Sequence, residues 1–295
     1  MCLAAIALGQ SKRWPLVIAS NRDEFFDRPA LPLAQWQSQS GQSVISGRDQ
    51  LAGGSWFGLT PKGRVALLTN VREPQAIAPK NGWLSRGELV MHWLEGRLSA
   101  SDFMTATNSA AYAGFNLLVG DFESQSWHWI SNRKTAPLTG DISAGWTSQA
   151  LRPGIYGLSN AALDTPWPKT TALKNSLHQA LNQSLSATAT AAYEDEGMKA
   201  QLWAALANRE TAATQKLPNT GLSTELELAL SSAFIEQATH GAAGYGTRVS
   251  TLLSVQPASD AGSWDVAMEE KTHVLHGASA LVRCNLQWQN QAIKR

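Results

Sequence analysis

The chain opens on Cys2-Leu-Ala-Ala-Ile-Ala-Leu8, turns through Gln10-Ser-Lys-Arg13, and returns as Leu16-Val-Ile-Ala-Ser20 into Asn21-Arg-Asp-Glu24. Two apolar runs around a polar turn predict an antiparallel hairpin. With the turn centred near Lys12, residues whose numbers sum to 24 stand opposite one another, so Cys2 faces Arg22. A slip of one residue brings Asn21 or Asp23 there instead, so the proximity of Asn21–Glu24 to the thiol is firmer than the identity of its partner. A guanidinium beside a thiol favours the thiolate.

Outward from this hairpin, Ser55–Thr60, the turn Pro61-Lys-Gly63 and Arg64–Asn70 predict a second one. Helical spacing of apolar residues marks Ser85–Glu95 and Ser101–Ala111. Gly114–Asp121 with Ser126–Ser131, and then Ile155–Ser159, read as further strands. Pro168–Leu185 and Glu196–Ala207 read as helices separated by the Ser/Ala/Thr-rich stretch Ser184–Ala192. Pro168 suits a first helical turn. Thr247–Val255 and Ser263–Lys271 are expected to close the chain as strands. Hairpins with helices grouped between them predict an α+β fold of stacked antiparallel sheets covered by helices, one domain over residues 1–295.

Composition narrows the function classes. Among 295 residues, 24 Lys+Arg against 23 Asp+Glu leave a net charge of +1, too little for a field that attracts nucleic acid. With 43% hydrophobic residues the chain can build a core, which excludes a disordered chain. Its two cysteines, Cys2 and Cys284, make neither a disulfide framework nor a zinc site. The opening apolar run is short and has nothing basic before it, unlike a secretory signal. No stretch approaches the roughly 20 apolar residues of a membrane span. A cytoplasmic protein with reduced thiols is expected, with a small molecule as ligand or substrate. Removal of Met1 would give Cys2 a free α-amine beside its own thiol, nucleophile and base in one residue.

Longer motifs carry a resemblance. Ala19-Ser-Asn-Arg-Asp-Glu-Phe-Phe-Asp-Arg-Pro29 is followed in order by Gly47-Arg-Asp49, Gly53-Gly-Ser-Trp-Phe-Gly58, Leu68-Thr-Asn-Val-Arg-Glu-Pro74 and Ser85-Arg-Gly-Glu88. Then come Gly114-Phe-Asn-Leu-Leu118, Gly154-Ile-Tyr-Gly-Leu-Ser-Asn160, Leu163-Asp-Thr-Pro-Trp-Pro-Lys169, Leu217-Pro218 and Tyr245-Gly-Thr-Arg-Val-Ser-Thr251. Together they resemble the transport-and-Golgi-organisation family, also called the NRDE family, from residue 2 to about 255. That family is in turn similar to N-terminal-nucleophile hydrolases of the bile-salt hydrolase and penicillin V acylase branch. The resemblance implies a four-layer αββα sandwich and a site made of Cys2, Arg22, Asp23, Asn70, Asn160 and Arg248.

The chemistry implied is amide hydrolysis that requires no cofactor. Cys2 would attack the carbonyl, Asn160 and Asn70 would donate to the oxyanion, and Arg22 and Arg248 would hold the thiolate. Asp23 would fix the amine or Arg22. One departure stands out: the hydrolases separate Arg and Asp by two residues, whereas Arg22 and Asp23 are adjacent. Neighbours in a strand point to opposite faces, so both enter one pocket only where the strand ends. Otherwise Arg22 shares its orientation with Glu24, and Asn21 with Asp23.

The family also implies an alternative, a non-catalytic carrier of haem or a lipid metabolite on the same fold. Haem would then be the bound ligand, with Cys2, His92, His128, His178, His240, His273 or His276 as candidate axial groups and the 12 Trp lining a slot. Trp56 is read equally as pocket wall or core. Gly241-Ala-Ala-Gly-Tyr-Gly246 lacks the ending of a phosphate loop and is expected to bring the chain close before Arg248. Asp23, Glu24 and Asp27, flanked by Arg22 and Arg28, are read as ion pairs in preference to a metal site. Cys284 is expected to be inert.

Overall fold

A computed structural model describes residues 2–73, 82–135, 142–183, 191–238, 244–260, 262–274 and 277–289, with the backbone alone at 135, 142, 183 and 191–194. Thirteen strands and five α-helices occur among them. The first strands are β1 (Cys2–Leu8), β2 (Leu16–Phe25), β3 (Ala30–Gln37), β4 (Ser43–Asp49), β5 (Phe57–Leu59) and β6 (Arg64–Asn70). After α1 (Gly87–Glu95) and α2 (Ala100–Ala106) come β7 (Phe115–Asp121), β8 (Ser126–Thr135), β9 (Ile142–Ala150) and β10 (Gly154–Leu158). Then α3 (Pro168–Gln183), α4 (Ala191–Leu206) and α5 (Thr224–Ala229) precede β11 (Tyr245–Pro257), β12 (Ser263–Thr272) and β13 (Ala280–Gln289).

The strands form a six-stranded sheet, β10-β1-β2-β11-β12-β13, and a seven-stranded sheet, β3-β4-β5-β6-β7-β8-β9. The continuous apolar run of β1 is explained by burial on both faces. Ala4, Ile6 and Leu8 meet Leu59, Leu67 and Leu118 between the sheets. Leu3, Ala5 and Ala7 pack under α3 and α4 with Leu173, Leu177 and Leu202. On the far side, α1 and α2 cover the seven-stranded sheet through Leu89, Val90, Trp93 and Phe103. Helices, sheet, sheet, helices: the layers are αββα, and the class is α+β.

Pairing of β1 with β2 places Cys2 opposite Arg22, the register that counting from Lys12 gives. Several expectations need correction. The strand expected to end at Ser20 runs to Phe25, so Asn21–Glu24 lies within β2. Ser101–Ala111 is α2 followed by a separate 3-10 turn, because the Asn108 side chain accepts from the Ala110 N–H and starts a new cap. The chain does not close on β12, since β13 adds a further strand along its whole length. The stretches β3, β4, β9 and α5 were not expected at all. His240, His276, Gly241–Ala243 and most of Ser184–Ala192 lie outside the described residues.

One irregularity matters for the site. Along β11, Thr247 stands opposite Asp23 and Val249 opposite Arg22, so Arg248 is an extra residue in a bulge. At the same end the sheets are clasped by polar side chains. Thr69 Oγ1 donates to the Ser159 carbonyl at 2.6 Å, and Asn116 Nδ2 donates to Thr69 Oγ1 at 3.2 Å and to the Ala161 carbonyl at 2.9 Å.

Candidate active site

Beside this clasp the two sheets part around a cleft of about 450 Å³, with Cys2 on its wall. Cys2 is the first rung of β1, and its carbonyl accepts from Ser159 Oγ at 3.0 Å. The Cys2 thiol is pushed up from its ordinary pKa, first by burial and also by Asp23, while Arg22 and the Asp23 backbone N–H pull it down. The guanidinium therefore does not win, contrary to the expectation of a thiolate. Its charge is committed elsewhere: Arg22 Nη2 lies 3.3 Å from Asp49 Oδ2 and 3.4 Å from Glu24 Oε2.

Arg22 also stacks 4.4 Å above the Trp56 ring. The Trp56 ring also lies against Gly47, where a Cβ would come within 2.3 Å of it. That contact explains the glycine in Gly47-Arg-Asp49 and places Trp56 on both the cleft wall and the core. Asp49 holds the assembly together. Burial opposes its charge, but Arg28 at 2.6 Å, the Ala52 N–H and Arg22 outweigh that and keep it below the usual carboxylate range.

Asp23 points to the opposite side of β2 from Arg22, as alternation requires. Its Oδ1 accepts from Thr247 Oγ1 at 2.7 Å, and its backbone carbonyl from the Tyr245 hydroxyl at 2.6 Å. Both Arg22 and Asp23 nevertheless border the cleft, because the cleft wraps around the end of β1 rather than one face of the sheet. Asn21 is wholly structural, donating to the Leu206 and Ala233 carbonyls at 2.9 and 2.7 Å.

Asn70 also lines the cleft. Asn160 is buried and does not: its Nδ2 donates to the Asn70 carbonyl at 2.9 Å, tying β6 to the end of β10. Arg248, in the bulge, caps the end of β2, its Nη1 donating to the Phe25 and Phe26 carbonyls at 3.0 and 2.9 Å. It too is off the cleft wall. Thus Cys2, Arg22, Asp23 and Asn70 come together, while Asn160 and Arg248 stand behind them.

Other side chains reach the cleft that the motifs did not single out as site residues. Glu24, Arg28, Arg72, Glu73 and Arg86 supply charge, and Trp83, Leu84, Leu222, Leu226 and Leu230 supply an apolar wall. Arg72 pairs with Glu227, and Glu73 with Arg133 at 3.1 Å through Nη2 and Oε2. Behind the cleft, Lys169 donates to the Leu230 carbonyl at 2.9 Å, and burial lowers its pKa to about 8.

None of the four described histidines lines the cleft that holds Cys2. His92 and His178 are exposed, and His128 meets Ser126 Oγ at 3.4 Å. His273 sits between Ser250 Oγ at 2.9 Å and Ser279 Oγ at 2.7 Å, and burial lowers its pKa to about 4. Among the described residues no group of three or more His, Cys, Asp or Glu is arranged to hold a metal ion. Cys284 lies in β13 opposite Met268, its thiol pushed up by burial and by Glu270. No helix among the described residues is long and apolar enough to cross a membrane.

A two-sheet αββα sandwich with a cysteine at the end of its first strand defines the class. The model of the family described as "Transport and Golgi organisation 2" matches residues 1–270, and the chain belongs to that family. A Transport and Golgi organization 2 homolog of Mus musculus is 32% identical over 180 residues, covering 57% of this chain and 59% of its own length. That of Homo sapiens is 34% identical over 165 residues, covering 52% and 53%. The match thus spans little more than half of each relative. Two solved structures are similar in outline. A conjugated bile acid hydrolase mutant from Clostridium perfringens has a TM-score of 0.42 and 10% identity, covering 97% of this chain and 92% of its own. A Caenorhabditis elegans N-acylethanolamine-hydrolyzing acid amidase ortholog has 0.39 and 12%, covering 67% and 85%.

Proposed function

We propose that this protein is an amide hydrolase that uses Cys2 as its nucleophile after Met1 is removed, acting on a small molecule in the cytoplasm. The observation that carries the reading is the placement of Cys2. It ends a strand on the wall of a cleft, opposite Arg22 and beside Asp23 and Asn70. A thiol whose pKa burial pushes up needs a base at hand, and the freed α-amine of the same residue would be one.

The Cys2 thiol gives its proton to that amine as Sγ bonds to the substrate carbonyl carbon. The carbonyl π pair moves to oxygen. When the C=O bond re-forms, the C–N bond breaks, and the leaving amine takes the proton back. Water then adds to the thioester, releasing the acid and restoring the thiol. Asn70 is assigned the role of an oxyanion donor, a contribution of roughly 3–4 kcal/mol where such a donor is well placed. Asp23 holds the α-ammonium, and Arg22 fixes the wall through Trp56 and Asp49. Asn160 and Arg248 act at one remove, by holding Asn70 and the end of β2.

Intact-mass measurement should find the chain without Met1. Release of amine from a panel of N-acyl amides should then be lost in Cys2→Ala and Cys2→Ser. A retained Met1 leaves Cys2 without its base and rejects the mechanism. The carrier reading would then lead, tested by titrating haem and following the Soret band in wild type and Cys2→Ala.

A further inference from the structure

The motif Ser85-Arg-Gly-Glu88 has no part in the mechanism above, yet its arginine stands on the cleft wall. Its position is tightly built. Gly54 and Gly87 touch backbone to backbone, where a Cβ on Gly54 would come within 2.4 Å of the Gly87 carbonyl carbon. Ser55 N–H donates to the Gly87 carbonyl at 3.2 Å. The loop that carries Trp56 is thereby locked to the start of α1, with Arg86 at the helix N-cap.

The cleft-wall arginines differ in what neutralises them. Arg22 and Arg28 share Asp49, and Arg72 has Glu227. Arg86 has no carboxylate within ion-pair distance among the described residues. Its Nη1 donates to the Gly114 carbonyl at 3.1 Å, a contact that orients the guanidinium without cancelling its charge. Meanwhile Asn160, expected to donate to the oxyanion, donates to the Asn70 carbonyl and is not among the residues that line the cleft. The site therefore lacks the second oxyanion donor beside Asn70, and Arg86 has N–H groups to supply it.

We propose that Arg86 is a further catalytic residue, the cation that receives the negative charge developing on the substrate carbonyl oxygen beside Cys2. The inference rests on the amide-hydrolase reading for its chemistry. As the Cys2 Sγ pair forms the S–C bond and the carbonyl π pair moves to oxygen, Arg86 N–H groups donate to that oxygen. They release it when C=O re-forms and the C–N bond breaks. Burial lowers the Arg86 pKa, while Glu24, Cys2 and Glu73 act on it as negative charges and Arg28 as a positive one, which sets the guanidinium within electrostatic reach of the thiol.

Alkylation tests it without turnover. In a Cys284→Ser background Cys2 is the sole thiol, and its rate with anionic iodoacetate is compared with that for neutral iodoacetamide. Arg86→Gln should lower the iodoacetate-to-iodoacetamide ratio roughly tenfold, and Arg86→Lys should keep most of it. A merely structural arginine would change both rates together and leave the ratio alone. An unchanged ratio in Arg86→Gln, matching a distant control such as Arg283→Gln, overturns the proposal. Should Arg86→Gln fail to fold, the folded wild type must exceed its own urea-unfolded chain in this ratio, and equality overturns the proposal. An Arg86-dependent ratio with no amide cleaved by the same preparation supports the Arg86 anion site while rejecting the hydrolase reading.

Discussion

Lys169 shows how much the site asks of a single residue. It is buried behind the cleft, bonded to the Leu230 carbonyl at 2.9 Å, and feels Asp23, Arg72, Cys2 and Glu227. Burial lowers its pKa to about 8 from an ordinary 10.5. Between those values the unfolded chain binds the proton and the folded chain does not, so this group's contribution to stability rises with pH from about 8 to about 10. Urea unfolding of wild type and Lys169→Met across that window should show the rise in the former and its loss in the latter. Glu270 has the opposite sign. Burial raises its pKa from 4.5 to about 7, so its contribution falls as pH climbs through that range, and Glu270→Gln should flatten the fall. Lys169 closes the motif Leu163–Lys169 and Glu270 lies in none, and in neither case does the residue type carry a sign of burial. The partnership of Cys2 and Arg22 was legible, since a short hairpin fixes its register by counting. Its electrostatic outcome was not, since Asp49 comes from β4, a strand that propensity did not reveal.

Three of the missed elements share a cause. β3 and β9 are the edges of the seven-stranded sheet and β13 is an edge of the other, where one side is unpaired and side chains are largely exposed. Their alternation is diluted, and in β3 Pro32 lies within the register shift between Leu31 and Ala34. α5 was too short to show a period. What holds α5 is the Arg72–Glu227 pair, both side chains buried, with Thr220 also bonded to Glu227. Arg72→Met leaves a carboxylate buried away from its cation and should cost about 3 kcal/mol or more, read from the urea midpoint. Adding Glu227→Leu should recover most of that loss. This helix carries Leu226 and flanking Leu222 and Leu230 on the apolar cleft wall, so the single variant should also loosen the site.

Across the whole molecule the sheets are joined at two ends by different chemistry. Near Cys2 the joint is the polar clasp of Thr69, Asn116, Ser159 and Asn160. At the far end Trp288 of β13 packs on Phe122 with ring centroids 4.9 Å apart and donates Nε1–H to the Thr60 carbonyl at 2.9 Å. Trp288→Phe removes the hydrogen bond and should cost about 1 kcal/mol. Trp288→Ala removes the packing too and should cost roughly 3–5 kcal/mol, measured by thermal or urea unfolding. The four layers were legible from hairpins and grouped helices together with the family resemblance, whereas this second joint was not, because the strand carrying it was not seen. A balanced total charge also acquires a local meaning: any anion at the site is met by individual arginines whose pairing differs one from the next.

The extra residue in β11 has a consequence for how such a site can change. On the core side of Arg248, Val249, Leu253 and Val255 face the other sheet. On its cleft side Thr247 faces Asp23, and both of these ladder partners are set without Arg248. The bulge therefore acts as a phase shifter: it lets the two halves of one strand keep separate in-and-out rhythms. Substitutions at Tyr245–Thr247 can remodel the cleft end while the rhythm that fills the core runs on undisturbed.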